Sequence, residues 1–110
     1  ACDTAKGAVA RLAGVEIPKH EDTEQTVAEL KARIAKTLDF IGSVPAAKLE
    51  GSEEREVVLK MRGQDLKFHG MQSLFGHALP NFYFHVATAY NILRANGGEI
   101  GKRDYIGQIQ

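Results

Sequence analysis

The sequence predicts a mainly α-helical domain, most of a helical bundle, interrupted by one small β-hairpin. Three observations predict it. Apolar residues recur at helical spacing in three stretches, over 3–13, 22–41 and 72–96. Between 57 and 68 the apolar period drops to two. The length of 110 residues suits one domain, 1–110, and leaves little room for two.

The first helix is expected from Asp3 to Ala13, with Ala5, Ala8, Val9 and Leu12 on one face. Asp3 or Thr4 can cap its start, and Gly14 can end it in a left-handed conformation. The face is narrow and rich in alanine, so another helix could approach closely. A connector with Pro18 follows.

The second helix is expected to start at Asp22 or Thr23, with Asp22 and Gln25 at capping-box spacing. Val27, Leu30, Ile34, Leu38 and Ile41 then form a regular stripe, widened by Ala28 and Ala35. Glu29, Lys31, Arg33, Lys36 and Asp39 supply the solvent side, and Gly42, Ser43 and Pro45 end the helix. Such a stripe needs a partner, because a lone amphipathic helix is marginal in water.

Residues 46–54 read as a polar loop. Val57, Leu59 and Met61 alternate with Val58, Lys60 and Arg62, and Leu66 and Phe68 alternate with Asp65 and Lys67. They predict a hairpin turning near Arg62–Asp65 and lying on the helices through Leu66 and Phe68. The third helix is expected over 72–96, its face carrying Phe75, Leu79, Phe82, Val86, Ala89, Tyr90 and Leu93. Pro80 interrupts it. Either the helix kinks there, with the Gly76 carbonyl deprived of its usual donor, or the helix proper begins at Pro80 after a separate turn. Asn96-Gly97-Gly98 is a stop. The tail, 99–110, is expected to lie over the surface, pinned by Tyr105 and Ile106, with Lys102, Arg103 and Asp104 in local ion pairs.

Fourteen Lys and Arg balance fourteen Asp and Glu. The basic excess of a duplex nucleic-acid or anionic-membrane binder is absent, so neither partner is expected. No stretch approaches a membrane span, and no signal-peptide pattern opens the chain. The single cysteine, Cys2, has no internal partner and suits the cytoplasm. The chain opens on Ala with an apolar period almost at once, which suggests that it starts inside a longer protein or was processed.

Candidate chemistry concentrates between His77 and Gly97. The bland reading is a core helix with aromatic packing. His77 and His85 cannot share one ion: eight helical residues leave them about 80° apart and about 12 Å apart along the axis. His85 with Asn81, four residues apart, is the better pair. His85 is the candidate metal ligand; otherwise it is a partly buried histidine bonded to Asn81, a tyrosine or the backbone. Asn81, Phe82, Tyr83 and Tyr90, with Phe75, are candidate linings of a small-ligand pocket. His20, His69, Glu53, Glu54, Ser52, Ser73 and Cys2 lack a pattern that points to a ligand set or nucleophile.

At HALPNFYFHVATAYNILRANGGEIGKRDYIG the sequence resembles the closing segment of a family of uncharacterised bacterial and fungal proteins. That family is grouped with the DinB/YfiT-like superfamily of proposed metalloenzymes. ACDTAKGAVARLAG, TVAELKARIAKTLDFI and VVLKMRGQDLKFHG are similar to its upstream parts. The resemblance implies an up-down, DinB-like four-helix bundle, of which three helices are present and an N-terminal first helix is absent. It also implies a three-histidine metal site, of which only His85 has a counterpart.

The function expected is an uncharacterised, non-catalytic bundle that forms a homodimer through the groove left by the first helix. No cofactor is expected. One alternative is a DinB-like metal-dependent hydrolase or thiol transferase, with zinc or nickel at His85 and with Asn81 or Tyr90 orienting water or substrate. Another is a bundle that binds a small ligand.

Overall fold

Helix α1 spans Cys2–Ala13 in the computed structural model, which describes residues 1–109. It ends as expected. Gly14 takes a φ of 66°, and the Val15 N–H donates to the Ala10 carbonyl at 2.9 Å. Arg55 donates to the Leu12 carbonyl and so satisfies another free oxygen of the last turn. The start differs from expectation. Neither Asp3 nor Thr4 is the cap, because the helix already begins at Cys2 with Ala1 at the cap position, and both side chains lie inside the first turn, where they bond Lys6, Arg33 and Asn81. The buried face differs as well: Lys6, Gly7, Ala10, Leu12 and Ala13 are covered, whereas Ala5, Ala8 and Val9 are half-buried. α1 touches the second helix and also the helical segments after the hairpin, so small residues are needed on more than one side.

Helix α2 spans Val27–Ser43. It starts later than the Asp22–Gln25 spacing suggests. Thr26 is the cap: its hydroxyl accepts from the Glu29 N–H at 3.1 Å. The Glu29 carboxylate accepts from the N–H groups of Gln25 and Thr26 at 2.8 and 2.9 Å. Thr26-x-x-Glu29 wins because it sits directly before the first apolar turn. These backbone donors hold the Glu29 carboxyl below its ordinary pKa. Arg33, expected on the solvent side, instead turns inward to α1 and the connector. The apolar stripe turns outward: Val27, Leu30, Ile34 and Leu38 are 68, 52, 50 and 61% exposed.

The 46–54 stretch holds two short 3-10 turns, Ala46–Leu49 and Ser52–Glu54. Strands β1 (Glu56–Met61) and β2 (Gln64–His69) pair antiparallel, with Val57 opposite Phe68 and Leu59 opposite Leu66. Arg62 and Gly63, both at positive φ, make the two-residue turn. The hairpin does pack on the helices, but chiefly through Val57 and Leu59. Phe68 is half-buried and Leu66, nearer the tip, is exposed. Leu12, Val57 and Leu59 form the core, flanked by Leu49, Phe68 and Leu74.

A helical run follows without a break: α3 (Gly70–Gln72), a π-helical segment (Ser73–Ala78) and α4 (Leu79–Ala95). The π segment resolves the Pro80 problem. Proline has no N–H to offer the Gly76 carbonyl, and widening the helix lets carbonyls reach one residue further; the Leu79 N–H donates to the Leu74 carbonyl, five residues back. Past Gly97, α5 (Lys102–Ile106) is one short turn. Asp104 caps it by accepting from the Gly101 N–H at 2.8 Å. That bond replaces the local ion pair expected of Asp104. The tail is held by Tyr90, whose hydroxyl donates to the Gly101 carbonyl and whose ring meets Tyr105 edge-on. Ile106, expected as a second pin, is 52% exposed.

Candidate functional site

Polar side chains converge where α1, the connector and α2 meet. Arg33 donates to both oxygens of Asp3 at 3.0 and 3.1 Å, to Asp22 at 2.5 Å and to Glu24 at 3.0 Å. Its side chain is covered, and three carboxylates raise its already high pKa, those of Asp22 and Glu24 most. Thr37, buried one turn on, donates to the Arg33 carbonyl. Lys6 is buried and bonded to Asp3 at 3.0 Å. Burial pushes the Asp3 carboxyl up, but Lys6 and Arg33 outweigh it and leave its pKa below the ordinary 3.8. Asp3 therefore stays ionised and ties the two helices together.

Two basic groups border this network. Burial, Lys6, Lys36 and Arg33 push the His20 imidazole below its usual pKa, favouring the neutral ring. Its Nδ1 is shielded from solvent and has no hydrogen-bond partner among the described residues. The Arg11 guanidinium lies back over Gly7, and burial lowers its pKa. It has no ion pair or hydrogen-bond partner among the described residues, unlike Arg33. A cavity of about 470 Å³ opens beside it, walled by Gly7, Ile17, Pro18, Lys19 and His20.

The residues singled out on the last helix do not gather at this place. Asn81 faces α1, where the Thr4 hydroxyl donates to its Oδ1 at 3.1 Å. His85 is exposed and meets the Phe84 ring edge-on at 5.3 Å. Phe82 and Tyr83 pack edge-to-face at 5.7 Å, with Phe82 half-buried and Tyr83 exposed. Tyr90 serves the tail and borders a cavity of about 200 Å³ with Ala87, Arg94, Lys102 and Tyr105. Phe75 is exposed, and His77 lines a cavity of about 230 Å³ with Asp3, Thr4 and Ser73. His69 lies 3.7 Å from Glu54. Among the described residues no three His, Cys, Asp or Glu side chains are grouped to hold a metal ion. The donors present thus do not complete the ligand set that the resemblance implies.

Residues 1–106 match the model of the family described as "Domain of unknown function (DUF1993)". The chain belongs to this family. A crystal structure of "a dinb family member protein" from Shewanella denitrificans agrees with a TM-score of 0.89 at 44% sequence identity. The match covers 98% of this chain and 61% of that one, so this DUF1993 chain spans less than two thirds of the relative's length. The DinB-like, mainly helical character is thereby established. No curated protein matches the chain. No helix among the described residues is long and apolar enough to cross a membrane.

The polar network escaped the sequence reading for an identifiable reason. Arg33 falls among charged positions of α2 and reads as solvent-facing, although Asp3 and Lys6 at i,i+3 were a local signal for the α1 half.

Proposed function

We propose that this chain is a non-catalytic, DinB-like bundle protein that works by self-association, a second copy covering the apolar stripe of α2. The observation that carries the reading is the outward-facing row Val27, Leu30, Ile34 and Leu38. Exposed Phe84, Ile92 and Leu93 on α4 add to the uncovered apolar surface. Monomeric soluble proteins rarely leave contiguous apolar patches beyond a few hundred Å².

Area supports the same reading. The chain exposes 8519 Å², whereas a folded monomer of 12.0 kDa exposes about 6,000 Å². The excess, about 2,500 Å², is the amount that one protomer buries in a large obligate interface. The radius of gyration, 15.7 Å, likewise exceeds the roughly 13 Å of a compact chain this long. Zero net charge means that two copies do not repel at long range. In this reading the partner's helix completes an up-down four-helix arrangement, and a cytoplasmic location keeps Cys2 a thiol.

Sedimentation velocity across the micromolar range tests it. The parent is expected to run as a dimer, and Ile34→Glu with Leu38→Glu as a monomer. A parent that stays monomeric and helical at about 100 μM overturns self-association. The occupant of the groove would then be a segment outside this sequence or a different protein.

The metal-dependent alternative places a transition metal on His85. It needs further ligands from outside the described residues. Elemental analysis of the parent and of His85→Ala separates the two: no stoichiometric metal is expected in either. About one zinc or nickel per chain, lost in the variant, would replace this proposal with the enzyme reading.

A further inference from the structure

Arg11 is the least explained charge in the chain. Its side chain is half-buried, and a charge partly withdrawn from water is usually offset by a partner, because desolvation disfavours the charged form. Burial lowers the guanidinium's pKa, with no offsetting partner among the described residues. The nearest carboxylate of α1, Asp3, already serves Lys6 and Arg33 through both its oxygens. Glu21 borders the same cavity but makes no ion pair with Arg11. Gly7 leaves the guanidinium room to lie where it does. A Cβ on Gly7 would come within 2.7 Å of Nη1, so glycine at this position lets Arg11 lie flat along the helix.

Beside it the cavity of about 470 Å³ combines a cationic side, Arg11 with exposed Lys19, and a short apolar side, Ile17 with Pro18. Ligand pockets run from about 300 to 1,000 Å³ and pair an apolar wall with a few placed polar groups. We propose that this cleft between α1 and the 15–21 connector binds a small organic anion, its carboxylate or phosphate oxygens chelated by the Arg11 guanidinium and steadied by Lys19. The planar fork of arginine suits either oxyanion in a bidentate pair. An apolar substituent on the ligand would rest on Ile17 and Pro18. Asp3 and Glu21, also on the wall, disfavour a second negative charge and so favour a carboxylate or a phosphodiester over a phosphomonoester dianion.

The probes are acetate, butanoate and inorganic phosphate, titrated at constant ionic strength. Binding is followed by the Gly7 amide and Arg11 Nε–H resonances of ¹⁵N-labelled protein. Saturable shifts confined to α1 and the connector are expected, with butanoate tighter than acetate. Arg11→Gln should weaken binding about tenfold or more, and Lys19→Ala more modestly. Lys19 is exposed, so its variant tests the cleft even if Arg11→Gln does not fold. Phosphate binding tighter than butanoate would assign the same cleft to a phosphoryl group and reject the apolar contact. Non-saturable shifts, or unchanged affinity in Lys19→Ala and Arg11→Gln, overturn the proposal. The assay reads the cleft, not the oligomer, so it stands or falls apart from self-association.

Discussion

At the scale of single residues, Gly70 carries the tightest constraint. A Cβ there would lie 1.8 Å from the Ser52 carbonyl oxygen and 3.0 Å from a methyl of Leu12. Both neighbours belong to packed structure, so the backbone must move. Gly70→Ala is expected to cost about 3 kcal/mol or more in urea unfolding; a loss under about 1 kcal/mol would show that the junction yields. Arg62 offers the opposite case. It holds a φ of 50° in the hairpin turn, a conformation that asparagine tolerates better. Arg62→Asn should stabilise by about 0.5 kcal/mol, read as a higher urea midpoint with an unchanged slope. Candidate site residues were poorly legible at this scale. Asn81 and His85 share a helix side by spacing, but Thr4, 77 positions away, takes Asn81. Nothing local in the sequence announces such a partner, and the free state of Arg11 is likewise visible only once Asp3 is seen to be engaged.

Elements were more legible than sites, because their signals are local. Gly14 ends α1 in the left-handed conformation, Pro45 follows α2, and the switch from period two to helical spacing marks the hairpin. The errors arose where two local signals competed. Asp22 and Thr26 both offer a cap, and only Thr26 has a carboxylate three residues on. Thr26→Ala should therefore cost about 1 kcal/mol. Asp22, released from capping, serves Arg33. The join between α1 and α2 consequently has a pH signature. Asp3 and Glu29 have folded pKa values below 3.8 and 4.5, so their contribution is complete above those values and lost as pH falls through the folded ones. His20 acts in the same direction. Its lowered folded pKa favours the neutral ring, so stability starts to fall as pH drops below 6.5. The urea midpoint should be flat above about pH 7 and decline below it. Asp3→Asn should lower the neutral plateau and flatten the acid limb; an unchanged limb would remove Asp3 from the account.

For the whole molecule, the decisive feature is how little apolar side-chain volume is buried. Among the described residues, Ala10, Leu12, Ala13, Val57, Leu59 and Ala78 are the buried hydrophobics, and three of the six are alanine. The regular apolar stripe of α2 faces outward instead. A period in the sequence reveals that a face needs covering, but not which surface covers it; here no described part of the chain does. If a second copy does so, association and folding are linked, and the melting temperature depends on concentration. Raising the protein a hundredfold should then raise Tm by roughly 5 °C or more, given the unfolding enthalpy of a dimer of this size. Ile34→Glu with Leu38→Glu should abolish that dependence. Because these two side chains are half or more exposed in the single chain, the change should cost the monomer little fold of its own. A Tm independent of concentration in the parent would mean that the chain tolerates its open stripe without a second copy.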